Sequence, residues 1–266
     1  MFTRLMKCLS LWLFSISALA DTRLLAQARP SIRQYATGKN GVSKNGTTPQ
    51  NFAVVLFQGF LMQDMVGVTD PLQVLAINFH MNLYLLAESL DPVTTEPANP
   101  AMNAKNSSFW PTVVPTHTFA TAPDDIEVLI IPGGPGVRNP NITPVTDFIR
   151  NTYPKLKYLI TVCTGSGLAA KAGVLDGKRA TTNKSGWSAI TAMGPNTIWV
   201  SPARWAVDGN IWTSSGVTAG LDLTFAWIKE VWGEEWADKI AGTEEYVPRP
   251  QDFDPFAQKY NITPNY

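Results

Sequence analysis

The chain has 266 residues, of which 45% are hydrophobic and 16% charged, enough for one large domain or two small ones with a sizeable core. Lys plus Arg and Asp plus Glu both number 21, so the net charge is zero and the electrostatic footprint of a nucleic-acid or anionic-membrane binder is missing. The sequence shows neither a basic run nor a helix-turn-helix signature.

The first predicted element is a targeting segment. Arg4 and Lys7 precede an apolar run from Cys8 to Ala20, which ends in Ala18-Leu19-Ala20 before Asp21. A basic start, a short apolar centre and an Ala-x-Ala end are the parts of a secretory signal peptide. The run falls short of the roughly 20 apolar residues that span a bilayer. Residues 1–20 are therefore predicted to be a signal peptide, and the mature protein to be secreted without a membrane anchor. Arg23, Arg29 and Arg33, with Asp21 as the only acid in the first fifty residues, support the competing reading of a mitochondrial presequence. Asn-x-Ser/Thr acceptors at Asn45, Asn106, Asn141, Asn183 and Asn261 fit a secreted glycoprotein. Cleavage would remove Cys8 and leave Cys163 without a partner for an intramolecular disulfide. Residues 21–50 are rich in Gly, Asn, Ser, Thr and basic residues without periodicity, the composition of a flexible lead-in.

A single folded domain is predicted over 51–246. It opens with a buried strand, Phe52–Phe57, followed by a helix over Pro71–Asn82 that has Pro at an early position. Leu83–Ala87 is a second strand, and Asp91–Asn106 a Pro-, Thr- and Asn-rich surface connection. Glu127–Ile131 is a third strand, running into Pro132-Gly133-Gly134-Pro135-Gly136. A helix over Thr143–Tyr153 leads to the strand Lys157–Val162 and a helix-compatible stretch, Leu168–Ala172. Arg179–Thr182 reads as a short strand and Ser185–Met193 as a short helix. Trp205–Val207 and Ile211–Thr213 flank a tight Asp208-Gly209-Asn210 turn. Val217–Trp232 is a long apolar helix, Glu234–Glu245 a final one, and 247–266 a C-terminal tail. Apolar strands alternating with helices give an α/β fold: a mostly parallel sheet covered on both faces, with ligands at the carboxyl ends of the strands.

Three segments should meet at that edge. Cys163 stands where a buried strand turns sharply into a helix through Thr164-Gly165-Ser166-Gly167, the geometry of a nucleophile elbow with Cys in place of Ser. The helix behind it aims its dipole at the sulfur, which predicts a thiol more acidic than a free one. The plainer alternative is a buried structural cysteine. Gly133 and Gly134 end the third strand in a turn whose N–H groups can donate to developing negative charge, or which exists for the turn alone. The loop after the first strand delivers Asp64, either as an acid/base with a raised pKa beside the thiol or as a loop or cap residue. Thr164 is either a pocket hydroxyl or a helix N-terminal residue. The two histidines read differently: His80 as a satisfied core or dimer-facing residue within the first helix, His117 as structural. The nine tryptophans, among them Trp187, Trp199, Trp205 and Trp212, either wall an apolar pocket or fill the core. No Cys/His cluster is present, so no metal site is predicted.

Taken together, IPGGPGV (Ile131 to Val137), TVCTGS (Thr161 to Ser166), AGVLDGKRATT (Ala172 to Thr182) and DGNIWTSSGVTAGLD (Asp208 to Asp222) resemble the DJ-1/PfpI superfamily. The resemblance runs from Phe52 to about Tyr246. Asp on the loop after the first strand, with Thr directly after the cysteine, looks like its isocyanide hydratase-like branch. The resemblance implies a flavodoxin-like three-layer sandwich, a homodimer, and a cofactor-free lyase acting on a small molecule. Cys163 would attack the isocyanide carbon, Asp64 would manage protons, Thr164 would hydrogen-bond in the pocket, and Gly133 and Gly134 would polarise the bound group. The family's Asp-x-x-Gly-Pro pattern is interrupted, since Val68-Thr69-Asp70 separate Gly67 from Pro71; Asp70 is the fallback carboxylate. Two rival functions stay open. One is a glyoxalase-like or deglycase enzyme on α-oxoaldehydes, for which Glu and a nearby His are usual. The other is a non-enzymatic redox sensor; regulators with this domain carry an appended DNA-binding module, of which the sequence shows no sign.

Overall fold

The computed structural model describes residues 48–265. The predicted signal peptide, most of the lead-in and the Asn45 acceptor lie outside the described residues. In chain order the first half contains β1 (Asn51–Val55), α1 (Met62–Ala76), β2 (Asn82–Ala87), β3 (Val93–Thr94), β4 (Thr112–Val113), β5 (His117–Thr118), β6 (Val128–Ile131) and α2 (Thr143–Thr152). There follow β7 (Tyr158–Thr161), α3 (Ser166–Lys171), β8 (Arg179–Ala180), α4 (Trp187–Thr191) and β9 (Ile198–Trp199). The last elements are β10 (Trp205–Asp208), β11 (Ile211–Ser214), α5 (Val217–Trp232), α6 (Glu234–Thr243) and α7 (Pro255–Lys259).

Seven strands form the central sheet in the order β10-β11-β7-β6-β1-β2-β5, parallel except for the β10–β11 hairpin. Every residue of β6 and β7 is buried, as strands covered on both faces must be, and both are continuous apolar or β-branched runs. The register sets Ile131 opposite Thr161 and Thr161 opposite Thr213, so the loops after β6, β7 and β11 emerge side by side at the carboxyl edge. Helices α1, α5 and α6 pack together on one face, while α2, α3 and α4 form the layer on the other. Trp227 of α5 anchors the first layer, with its ring edge-on to Phe52 at 6.2 Å and to Tyr158 at 5.3 Å. The mostly parallel three-layer sandwich expected from the sequence is present.

Four elements depart from expectation. The first helix runs over Met62–Ala76 rather than Pro71–Asn82, with Pro71 in its interior. Met65, Val68, Leu72 and Leu75 form one buried stripe along it. Burying each contributes about 1.5–3 kcal/mol, which together outweighs the roughly 3 kcal/mol that an interior proline costs. The same helix absorbs Val68-Thr69-Asp70 without a bulge and leaves His80 beyond its end, exposed rather than in the core. The 91–106 connection contains β3, which pairs with β4 in a ribbon of two residue pairs, too short to show a period. Strand β8 pairs with β9 outside the central sheet. The C-terminal stretch is no free tail. Arg249 N–H donates to Asp222 at 2.7 Å, the Asp254 side chain is buried, and Asn265 exchanges backbone hydrogen bonds with Ser201. Among the described residues no helix is long and apolar enough to cross a membrane.

Candidate active site

β7 delivers Val162 in an extended conformation, and Cys163 then takes φ +58° before the Cys163–Gly165 turn runs into α3. Positive φ is costly for a residue with a side chain and persists where neighbours hold it. Here the Cys163 carbonyl accepts from Thr182 Oγ1 at 3.0 Å and from Ser166 Oγ at 3.3 Å. The thiol lies at the carboxyl edge of the sheet and its residue is 3% exposed.

Asp64 reaches the same corner from the first turn of α1. It is not a helix cap: its carboxyl group crosses to the turn after β6, where Oδ2 accepts from Gly133 N–H at 2.9 Å. Leu61 N–H donates to Gly133 carbonyl at 2.8 Å, so the loop after β1 and the glycine turn clamp each other. The approach is so close that a Cβ on Gly133 would stand 2.6 Å from Thr164 N and 2.9 Å from Asp64 Oδ2. Gly134, at φ +131°, donates its N–H to Thr164 Oγ1 at 2.9 Å. Both glycine N–H groups, expected to face a substrate, are thus engaged in holding Asp64 and Thr164. Their contribution is to fix those side chains.

Asp64 is completely buried, and its Oδ1 has no hydrogen-bond partner among the described residues. Burial raises its pKa to about 7 against the opposing pull of Gly133 N–H and the Cys163 thiol. The thiol is also pushed up, first by burial and then by the Asp64 charge, with hydrogen bonding from Thr164 opposing. This corrects the expectation of an acidified cysteine. α3 has only six residues and brings a weak dipole, and no cation is among the groups that shift the thiol. Asp70, the fallback carboxylate, is exposed on α1 and accepts from Gln73 at 3.3 Å, away from the elbow. His117 sits on the edge strand β5, with Nδ1 2.9 Å from Thr116 Oγ1 and its ring edge-on to Tyr84. Trp199, Trp205 and Trp212 are buried with the core.

A second group of buried polar side chains escaped the sequence. Lys184 Nζ donates to Asp254 at 3.1 Å, Thr181 Oγ1 at 2.8 Å, Ala203 carbonyl at 3.0 Å and Thr182 carbonyl at 3.2 Å. Burial lowers its pKa to about 8 against the pull of Asp254. Nothing local marks this lysine, although the Asp254-Pro255 step is a helix-start signal for α7.

Comparison with known proteins identifies the family. The model of the DJ-1/PfpI family matches residues 61–230, and the chain belongs to that family. It is 33% identical over 196 residues to isonitrile hydratase of Pseudomonas putida, covering 72% of this chain and 79% of the relative. It is 28% identical over 204 residues to the HTH-type transcriptional regulator CdhR of Pseudomonas aeruginosa, covering 74% of this chain and 55% of the regulator. A crystal structure of a THiJ/PfpI family protein from Pseudomonas syringae superposes with a TM-score of 0.63 at 29% identity, covering 85% of each chain.

The relationship to the hydratase supports the family, and it gives no support to a signal peptide, secretion or glycosylation. Those three expectations are withdrawn. The Asn183 acceptor has a structural occupation instead, its Oδ1 accepting from Gly186 N–H at 3.0 Å.

Proposed function

We propose that this chain is a cysteine-dependent hydro-lyase that adds water to an isocyanide to give an N-formyl amine. The observation that carries the reading is the buried pair itself. A thiol held at positive φ faces a carboxyl group that titrates near neutrality and keeps one oxygen unpaired. An isocyanide carbon becomes a stable adduct only if it gains both a nucleophile and a proton, and this corner supplies both. Asp64 takes the thiol proton as sulfur bonds to carbon, then returns it to that carbon, leaving a thioimidate on Cys163. Asp64 next takes a proton from water as its oxygen adds to the same carbon, and that proton passes to nitrogen. The C–S bond breaks as the hydroxyl becomes the formyl carbonyl, and its proton returns to sulfur. The sum is one isocyanide and one water in, one N-formyl amine out. Thr164 keeps the glycine turn against Asp64. The reading includes a homodimer, carried over from the family resemblance.

The relationship to isonitrile hydratase supports this over the deglycase-like alternative, as does the position of both histidines away from the elbow. The test is to offer cyclohexyl isocyanide, and separately methylglyoxal, to the purified protein and to Cys163→Ala. Formation of the N-formyl amine by the first protein alone is expected. Consumption of methylglyoxal without isocyanide turnover would reject the assignment, and turnover surviving in Cys163→Ala would reject the nucleophile.

A further inference from the structure

Cys163 sits at φ +58°, a conformation that persists for a residue with a side chain only where its surroundings fix it. Its carbonyl is fixed from two sides, by Ser166 Oγ and by Thr182 Oγ1. Ser166 belongs to the elbow itself, as the first residue of α3. Thr182 is the outside support, and it is completely buried. What holds Thr182 is Lys184. Its Nζ donates to the Thr182 carbonyl at 3.2 Å and to Thr181 Oγ1 at 2.8 Å, and ties this segment to the Ala203 carbonyl at 3.0 Å and to Ser215 Oγ at 3.4 Å. The ammonium is held in turn by Asp254 at 3.1 Å, and both side chains are 2% exposed. Asp254 also accepts from Ala203 N–H at 3.0 Å. A continuous line of bonds thus runs from Asp254 through Lys184 and Thr182 to Cys163. The family match ends at residue 230, so Asp254 lies in the C-terminal stretch beyond it. Phe256 and Tyr260 of that stretch wall a cavity of about 180 Å³, which Cys163, Asp64 and Thr164 do not line. The stretch reaches the elbow through bonds and not through that space.

We infer that Lys184 and Asp254 are positioning residues for the nucleophile: by fixing the Thr182 backbone they hold Cys163 in its strained conformation, with the thiol against Asp64. An ammonium suits this task, since it is a compact charge with donors that can serve several carbonyls and hydroxyls at once. Without it the Thr182 and Ala203 carbonyls stay buried and lose a charged donor, which is costly. The segment must then shift to find new partners, and the Thr182 hydroxyl shifts with it. Released on that side, the Cys163 backbone relaxes from positive φ and the sulfur turns away from Asp64. Breaking the ion pair acts mainly on stability. The loss of positioning is the smaller effect, and it shows once stability has been restored. Lys184 and Asp254 touch no reacting atom. The turnover readout of this role rests on the proposed hydratase reading, whereas the thiol-alkylation readout does not.

The test uses the full chain carrying Lys184→Met together with Asp254→Leu, which removes the buried pair whole and should restore most of the urea midpoint that Lys184→Met loses. In this double variant kcat for cyclohexyl isocyanide should still stand about tenfold or more below wild type, with KM changed by less than about twofold, the pattern of a misplaced reacting group. Thr182→Val should give a similar loss, and Thr182→Ser, which keeps the hydroxyl, should regain most of it. Thr182→Val added to the double variant should lower kcat little further, because both changes act along one path. Alkylation of Cys163 by iodoacetamide needs no isocyanide chemistry. Its pH profile should move to lower pH in the double variant and in Thr182→Val, as the sulfur leaves the Asp64 charge. Where the double variant does not fold, Asp254→Asn, of the same shape, carries the test: its alkylation profile should move the same way, and an unmoved profile overturns the inference. A double variant with restored midpoint, wild-type kcat and wild-type alkylation also overturns it, as do losses that add in full. No isocyanide turnover by the wild type, with the alkylation profiles shifting as described, would instead overturn the hydratase reading and leave the positioning role in place.

Discussion

Two regions at the carboxyl edge of the sheet bury charge-bearing groups, and they treat them in opposite ways. Around Asp222 and Lys184 the polar atoms are served. Asp222 Oδ2 accepts from Arg204, and its Oδ1 accepts from Tyr246 hydroxyl and Arg249 N–H; Lys184 has Asp254, two carbonyls and a threonine hydroxyl. Around Asp64 the carboxyl group has one backbone donor, on Oδ2, and faces a thiol that burial also makes reluctant to ionise. The first region is arranged for stability. The second holds a carboxyl group whose protonation is balanced near neutrality, a condition for moving protons at neutral pH. Substituting each region should therefore affect different quantities.

The largest effect should come from removing the proton carrier. Asp64→Asn keeps shape and hydrogen bonding but cannot shuttle a proton, so isocyanide turnover should fall by about 10²–10⁴. Asp70→Asn, on the exposed face of α1, should retain most activity. Steady-state rates on both variants check this, and an active Asp64→Asn would remove the carboxyl group from the mechanism.

The converse substitution acts on stability. Lys184→Met leaves Asp254 buried and unpaired, which typically costs about 3–5 kcal/mol. The urea midpoint should drop steeply, and replacing Asp254 with Leu in the same chain should restore much of the loss. A single variant as stable as wild type would show that the pair is not an anchor for the C-terminal stretch.

A third prediction separates the regions by pH. Asp64 titrates near 7 in the folded chain against an ordinary 3.8, so folding favours its protonated form. Its contribution to stability is complete below about pH 4 and is lost as pH rises towards 7, by up to about 4 kcal/mol. Wild type should therefore lose stability relative to Asp64→Asn across that interval, measured as urea midpoints at pH 4.5 and pH 8. Parallel curves would mean that the carboxyl group is not destabilised by burial.

The smallest effect concerns the thiol. Iodoacetamide should alkylate Cys163 at pH 7 about tenfold or more slowly than a free thiol, whose pKa is about 8.5. The rate should keep climbing above pH 9, and Asp64→Asn should move the profile to lower pH by removing a nearby negative charge. A wild-type profile at or below that of an ordinary thiol would restore the acidified cysteine that the elbow pattern suggested.

That last case shows where local pattern stops being informative. The elbow was legible: an apolar strand, Cys163, small residues and a helix can fold in few other ways, and Cys163 takes the strained φ that such a corner demands. The sign of its pKa was not. It depends on how deeply the sulfur is buried and on which charge stands beside it, and both come from α1 and from the turn after β6. The glycine turn behaved similarly. Gly133 and Gly134 were recognisable as a place of close approach, but what approaches is Asp64 and Thr164 from the same chain. Asp64 was found through its motif and not through its helix, because Pro71 marked a boundary that the buried stripe of α1 overrides.

What the sequence determined by itself is therefore the set of elements whose signal lies within a few neighbouring residues. These are the buried strands β6 and β7 and the nearly buried β1, the hairpin at Gly209, the limits of α5 and the corner at Cys163. Each follows from side-chain period, turn chemistry or backbone sterics. Only the tertiary structure decided that Asp254 would find Lys184, that residues 247–265 would wall a cavity instead of trailing as a tail, and that burial would hinder ionisation of both the thiol and the carboxyl group, with the carboxyl charge hindering the thiol further. Those outcomes depend on which groups leave water together. Desolvation is a property of the assembled neighbourhood and has no period along the chain.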